Sequence, residues 1–369
     1  MKNSFGCALT VTLFGESHGD MIGAVLDGLA PGIKIDDEYI RLRLDMRRPF
    51  GNISTKRREG DEYKIVSGAH GGYTTGTPLC ILIPNEDTHS ECYSAFSDTP
   101  RPSHADYTAG CKYHGYEDPR GGGHFSGRIT AALVAAGAIA ASALEARGVY
   151  IGTQLYSLGN LSARSFVDFD TDELCEAKRR LDSTGLAVLD EKLKSEMIKK
   201  IEAAAKVGDS VGGVLESCIL GLPAGVGEPW FDSMESQIAH ILFSIPGVKG
   251  VEFGRGFELT KMLGSEANDP FYTDGERIMT KTNNGGGISG GITSGMPITL
   301  RTAIKPTPSI YKEQDTVSLK KMTNEKLSIT GRHDPAIVHR ARAVVDAALA
   351  LAVLDMLTVR YGTDYIVGK

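Results

Sequence analysis

The sequence predicts an α+β fold, from short β-rich runs bounded by glycine, two long segments that are apolar on every face, and no linker dividing the chain. The runs Leu9-Thr10-Val11-Thr12-Leu13-Phe14 and Ile81-Leu82-Ile83-Pro84 end at turn residues and read as strands. Residues 128–147 and 335–360 are nearly apolar all round, which a helix tolerates only when it is covered on every side. They are expected in the middle of the fold rather than in a bilayer: 129–144 is mainly alanine and short, and 343–357 is interrupted by Asp346 and Asp355. Between Asp172 and Lys206 charges alternate with Leu, Met, Ile and Ala at helical spacing, predicting a solvated amphipathic helix. A second one is expected over 232–243, with Met234, Ile238, Ile241 and Leu242 on one face and Pro246-Gly247 as its stop. No segment rich in Pro, Ser or charge separates these elements, so residues 1–369 read as one catalytic domain, with a split near Gly208 as the alternative. No fixed-period repeat is visible.

A hydrophobic content of 41% over 369 residues can fill a sizeable core. The net charge of -6, without single-sign blocks, argues against nucleic-acid binding and against a polybasic membrane anchor. Any anionic ligand must therefore be held by a local cluster. The six cysteines show neither the C-x-x-C spacing of structural zinc nor the density of a disulfide scaffold, so no metal site is expected and the thiols read as reduced. Met1-Lys2-Asn3-Ser4-Phe5-Gly6 has no apolar h-region behind its basic residue, and the expected location is cytoplasmic.

Chemistry concentrates in five places. Phe14-Gly15-Glu16-Ser17-His18-Gly19 follows a strand and sets a serine and a histidine between glycines, where an imidazole can donate a proton at neutral pH or merely stabilise the turn. Arg47-Arg48-Pro49 and Lys56-Arg57-Arg58 put five cations into twelve residues, either a solvated face or a seat for a small polyanion. The densest block runs from Arg101-Pro102-Ser103-His104-Ala105-Asp106-Tyr107 to Gly121-Gly122-Gly123-His124-Phe125-Ser126-Gly127-Arg128. Its glycines let backbone approach a ligand and the helix start behind them favours an anion, but it has neither the ending of a Walker loop nor the G-x-G-x-x-G order of a dinucleotide fold. Near the end stand Gly285-Gly286-Gly287-Ile288-Ser289-Gly290-Gly291, then Lys305-Pro306-Thr307-Pro308-Ser309, then Gly331-Arg332-His333-Asp334-Pro335. Asp334 sits at the expected start of the last helix, where a carboxylate is commonly an N-cap.

In this order the motifs resemble the chorismate synthase family, with its G-E-S-H-G turn, R-R-R-P segment, H-A-D-Y block leading to G-G-G-R-S-S-A-R-E-T, and G-R-H-D-P near the end. The match spans almost the whole chain. The resemblance implies a β-α-β sandwich with helices in the inner layer between antiparallel sheets. It implies an overall 1,4-anti elimination of phosphate from 5-enolpyruvylshikimate 3-phosphate to chorismate, in the shikimate pathway of aromatic amino acid biosynthesis, using reduced FMN without net oxidation. His18 and His104 would be the acid–base histidines, His18 toward the leaving phosphate and His104 toward the flavin, and Asp334 the partner in removing the C6 proton. Ser17, His124, Phe125, Ser126, Pro246, Gly247, Gly290, Lys305, Pro306, Thr307, Pro308, Ser309 and Arg332 match cofactor positions. Arg47, Arg48, Arg57 and Arg128 match substrate positions. His124, Phe125, Gly127 and Ile129 replace the family's usual residues in the glycine loop, yet the acid–base residues are present and an active enzyme is expected. Members are usually homotetramers. No dinucleotide fingerprint is visible, which favours dependence on a separate flavin reductase over reduction by NADPH on the chain itself.

Three other readings compete. Gly208-Asp209-Ser210-Val211-Gly212-Gly213 superficially matches a trypsin-like G-D-S-G-G, but the inserted valine spoils the oxyanion geometry, and it reads as a strand-entry turn. A flavin-independent phosphate-ester lyase or phosphatase could use the same histidines and arginines. A non-catalytic binding protein would leave His18, His104 and Asp334 without a purpose.

Overall fold

The computed structural model describes residues 2–49, 51–54, 60–86, 98–329 and 333–368. The chain begins with β1 (Ser4–Phe5), β2 (Thr10–Gly15), β3 (Met21–Asp27), α1 (Asp37–Arg47), β4 (Lys64–Ser67), β5 (Ala69–His70), β6 (Tyr73–Thr74) and β7 (Leu79–Pro84). Five of these strands form an antiparallel sheet in the order β1-β2-β3-β7-β4. In β7 the alternate residues Leu79, Ile81 and Ile83 are fully buried, so one face of the sheet is turned onto the core.

There follow α2 (Asp106–Tyr113), α3 (Thr130–Glu145), β8 (Tyr150–Leu158), β9 (Leu161–Ser162), α4 (Thr171–Asp182), α5 (Glu191–Lys206), β10 (Gly213–Leu220), α6 (Met234–Ser244), β11 (Val248–Phe253) and α7 (Gly264–Ala267). Two short hairpins come next, β12 (Phe271–Thr273) with β13 (Ile278–Thr280) and β14 (Ile288–Ser289) with β15 (Ile292–Thr293). The chain ends with β16 (Ile298–Ile304), the β17 (Gln314–Ser318) and β18 (Thr323–Leu327) pair, and α8 (Val338–Tyr361). The second large sheet is antiparallel, in the order β11-β16-β10-β8-β9.

The two all-round apolar segments are α3 and α8, and they lie between the sheets. Helix α3 packs on β3 and β7, α8 packs on β8 and β10, and the helices pack on each other. This is the expected sandwich with an inner helical layer. The stretch Gly127–Glu145 is long and apolar enough to cross a bilayer, but 83% of that window is buried inside the fold, as a core helix requires. The helices approach closely because small residues face each other: a Cβ on Gly137 would stand 2.4 Å from the Cβ of Ala347.

The acidic residues interrupting α8 are both paired. Asp346 accepts from Arg43 Nη2 at 3.1 Å and Thr153 Oγ1 at 2.6 Å. Asp355 accepts the backbone N–H groups of Cys7, Ala8 and Leu9 at 2.8–2.9 Å, tying the N-terminal arm to the central helix. Buried carboxylates are tolerated on such terms.

Two expectations are corrected. The single amphipathic helix over 172–206 is two helices, α4 and α5, because the intervening loop carries Leu186 and Val188 into the core. Each helix has its own start: Asp170 and Glu173 form a capping box, and the Asp190 side chain accepts from the N–H groups of Lys192 and Leu193. Asp334 does not cap α8, whose N-cap is Ile337 with no side-chain cap.

Candidate active site

The GESHG turn leaves the end of β2 and locks onto the glycine loop. Ser17 N–H donates to the Gly123 carbonyl at 3.0 Å. His124 Nδ1 lies 2.8 Å from the Gly15 carbonyl, so that nitrogen carries the proton. Gly121, Gly122 and Gly123 take φ values of +59°, +85° and +53°, the left-handed region that favours glycine. A Cβ on Gly121 would stand 2.4 Å from His18 Cδ2 and 2.5 Å from its Nε2, so a bare backbone is what lets the loop lie on the imidazole. His18 and Ser17 are buried behind Gly121. Among the described residues the Ser17 hydroxyl has no hydrogen-bond partner.

Gly121 belongs to the wall of a cavity of about 880 Å³. Its lining gathers the N-terminal arm, the end of α1, the loop before α2, the glycine loop, the end of α6, the segment after β16 and the start of α8. His104 stands on this wall with Nδ1 2.6 Å from Asp106 Oδ1. Asp106 is in turn gripped by the Arg101 fork, with Nε at 2.8 Å and Nη2 at 2.7 Å. Burial raises the Asp106 pKa, but the hydrogen bonds from Arg101 and His104 outweigh it and hold the carboxyl well below its usual range.

Eight cations, Lys2, Arg47, Arg48, Arg101, Arg128, Lys249, Lys305 and Arg340, line the cavity against Asp61 and Asp334, which makes it a local anion site in an acidic chain. Arg47 Nη2 lies 3.0 Å from Asp61, and Arg128 Nη1 bonds the other oxygen of the same carboxylate. Burial opposes ionisation of Asp61, but Arg47 and Arg128 hold its carboxyl below the usual range. Arg128 also donates from Nε to Asn85 Oδ1 at 2.8 Å and from Nη2 to the Pro84 carbonyl at 2.9 Å, so all three of its nitrogens brace the protein. Arg48 bonds Asp45 and the Gly60 carbonyl. Asp334 lies in the cavity wall and pairs with Arg340, whose Nε donates to the Arg47 carbonyl at 2.9 Å. Lys305 Nζ donates to the Ser103 carbonyl at 2.5 Å, and burial together with Lys249 lowers its pKa.

Phe125, Ser126, Pro246, Gly247, Thr307, Pro308 and Ser309 also line the cavity, with His124 beside them. Pro306 does not, although its neighbours do. Gly290 is elsewhere: it is exposed at the tip of the β14–β15 hairpin, with open space around it. Arg57 and Arg332 lie outside the described residues. Sequence reasoning gave no role to Arg101, Asp106, Asp61 or Arg340. The R-x-x-H-x-D spacing ahead of α2 was a usable signal for the first two. The others carry no such spacing: Asp61 joins Arg47 to Arg128, 67 residues away, and Arg340 joins Asp334 to the Arg47 carbonyl, 293 residues away.

The profile of the family described as chorismate synthase matches residues 9–358. The chain belongs to the chorismate synthase family. It is 45% identical over 352 residues to the chorismate synthase of Thermococcus kodakarensis, covering 95% of this chain and 96% of that one. The chorismate synthase of Pyrococcus abyssi is 44% identical over 96% of this chain and 97% of its own, and that of Dehalococcoides mccartyi 43% over 96% of each. A crystal structure of chorismate synthase superposes with a TM-score of 0.77 at 28% identity, covering 97% of this chain and 94% of the other. This family membership makes the chain a carbon–oxygen lyase, with its antiparallel sheets and inner helices as the family fold.

Proposed function

We propose that the chain converts 5-enolpyruvylshikimate 3-phosphate to chorismate by overall 1,4-anti elimination of phosphate with reduced FMN, in the shikimate pathway of aromatic amino acid biosynthesis. The observation that carries this reading is one cavity that holds His104, Asp334 and eight cations, with His18 directly behind its glycine wall. Its volume of about 880 Å³ is near the upper end of small-molecule sites, roughly 300–1,000 Å³, as two stacked anionic ligands would need.

The residues fit a flavin mononucleotide. Apolar walls from Leu13, Ile129, Leu133, Ile337 and Val344, with Phe5 and Phe125, suit a flat ring. The Thr307 hydroxyl, without a partner among the described residues, offers a polar contact from the cavity wall, and the cations suit a phosphate. When bound, reduced FMN supplies electron density to the substrate and takes it back, so there is no net oxidation. Arg47 and Arg48 at the end of α1 hold substrate anions, while Arg128 braces the loop behind them. His18 gives a proton to the departing phosphate, His104 exchanges one toward the cofactor, and Asp334 takes part in removing the C6 proton. Ser126, Pro246, Gly247 and the 305–309 segment orient the ring system, and the apolar wall excludes water.

The continuous hydrophobic core from Leu9 to Ile366 supports a single catalytic domain. Exposed Trp230, Phe231, Leu263, Phe257 and Phe271 leave apolar surface that subunit contacts would cover, which supports a homotetramer, and a monomeric mass by light scattering would refute it. We place the protein in the cytoplasm and make it dependent on a separate flavin reductase.

The test is an anaerobic assay following chorismate absorbance, with and without chemically reduced FMN. Turnover is expected only with reduced FMN. Phosphate release without it would instead favour a flavin-independent lyase or phosphatase, and silence in both would point to a binding protein or a different substrate.

A further inference from the structure

We propose that Asp106 is a positioning residue that fixes the ring and tautomer of His104, and that Arg101 balances its charge so that the imidazole can give up and regain its cavity-side proton. The proposal rests on the reading of His104 as an acid–base group. An ionised carboxylate only accepts hydrogen bonds, so the 2.6 Å contact to Asp106 requires a proton on His104 Nδ1. Arg101 Nη2, 3.1 Å from the same Nδ1, can then serve only the carboxylate, which it meets at 2.7 Å. The exchangeable site is therefore Nε2, which packs toward Gly122, where a Cβ would come within 3.5 Å of it, on a side chain that lines the cavity.

A carboxylate alone would hold a charged imidazole and discourage release of its proton. Here the Arg101 fork takes both oxygens, and the Asp106 carboxylate also accepts the Arg101 backbone N–H at 2.9 Å, so the negative charge beside His104 is already shared. The balance of the step is simple. Charged His104 loses the Nε2 proton to an acceptor in the cavity and becomes the neutral Nδ1–H tautomer, and Asp106 stays ionised throughout. The arrangement follows the logic by which a buried aspartate orients a catalytic histidine without itself taking the proton.

The test compares D106N, H104Q and the double variant under anaerobic conditions with reduced FMN. D106N should lower kcat about 10²-fold or more while leaving KM and flavin affinity within about twofold. In the H104Q background the same change should cost nothing further, because a group acting through His104 has no effect once that ring is gone. A ligand-free readout is ¹⁵N magic-angle-spinning NMR of histidine-labelled protein at mildly alkaline pH, with His104 assigned by its absence in H104Q. The Nδ1–H form should dominate in the parent and the Nε2–H form in D106N. If D106N fails to fold, R101K, which keeps the charge but loses the fork, should lower kcat to a lesser degree and again only when His104 is present. Losses that multiply in the double variant, or an unchanged tautomer in D106N, would overturn the proposal. Flavin-independent turnover by the parent protein would overturn the functional reading instead.

Discussion

Gly121 shows how a residue with no side chain can control one that has chemistry. Its φ of +59° and its contact with the His18 ring are separate constraints, and alanine would violate both. Gly121→Ala should push the imidazole off its place and lower turnover about 10²-fold, the scale expected for a displacement near 1 Å. Gly71 supplies the control, since it has φ +58° and open space where a Cβ would go. Gly71→Ala should cost stability, about 1 kcal/mol, and leave turnover alone. Equal turnover losses in the two variants would mean that backbone strain, rather than the His18 contact, is what matters. At this scale the sequence was informative where chemistry is locally dense: the GESHG turn, the H-A-D block and the glycine loop all meet in the structure. It was silent on Asp61 and Arg340, whose roles exist only once distant segments are brought together. It marked Arg128 as a ligand contact, and Arg128 lines the cavity while also bonding Asp61, Asn85 and Pro84.

Among elements, α8 does two jobs that its composition only half reveals. Its apolar faces made a buried position predictable, and they do pack between α3 and the second sheet. The boundaries were less legible, because the split between α4 and α5 follows from Leu186 and Val188 turning inward, a tertiary effect with no helical-period signature. The second job belongs to Asp355, which collects three backbone N–H groups from the arm whose first residues, Lys2 to Phe5, wall the cavity. The arm is also held by β1 pairing with β2, so losing the carboxylate should loosen it without releasing it. Asp355→Ala is expected to lower stability by roughly 3 kcal/mol, since three donors lose their acceptor at once. Hydrogen exchange at residues 7–9 should accelerate, and affinity for anions in the cavity should fall. Unchanged exchange there would show that β1 alone fixes the arm.

Across the whole molecule, placing cationic and acid–base groups next to a continuous core gives stability a pH dependence that can be separated by window. The layered architecture was foreseen from the family resemblance, whereas the buried titratable groups were not, because burial is a property of the assembled layers. His339 on α8 is buried, and desolvation pushes its pKa down to about 4, with Asp334 and Arg340 nearby acting in opposite directions. Its Nε2 lies 2.7 Å from Ser54 Oγ. In the unfolded chain the ring titrates near 6.5, so as pH falls through that value the unfolded state takes up a proton that the folded state refuses. The stability contribution of the neutral ring is thus complete above the unfolded value and is lost on acidification until the folded value is reached. Between about pH 7.5 and pH 5 the loss should be roughly 2 kcal/mol. Asp61 and Asp106, whose folded values are depressed, keep their contribution above the unfolded carboxylate value of 3.8, so theirs is lost lower on the scale. His339→Gln can still bond Ser54 but cannot titrate. Urea unfolding of the two proteins at both pH values should therefore show the parent losing about 2 kcal/mol more than the variant, and parallel losses would assign the acid sensitivity to some other group.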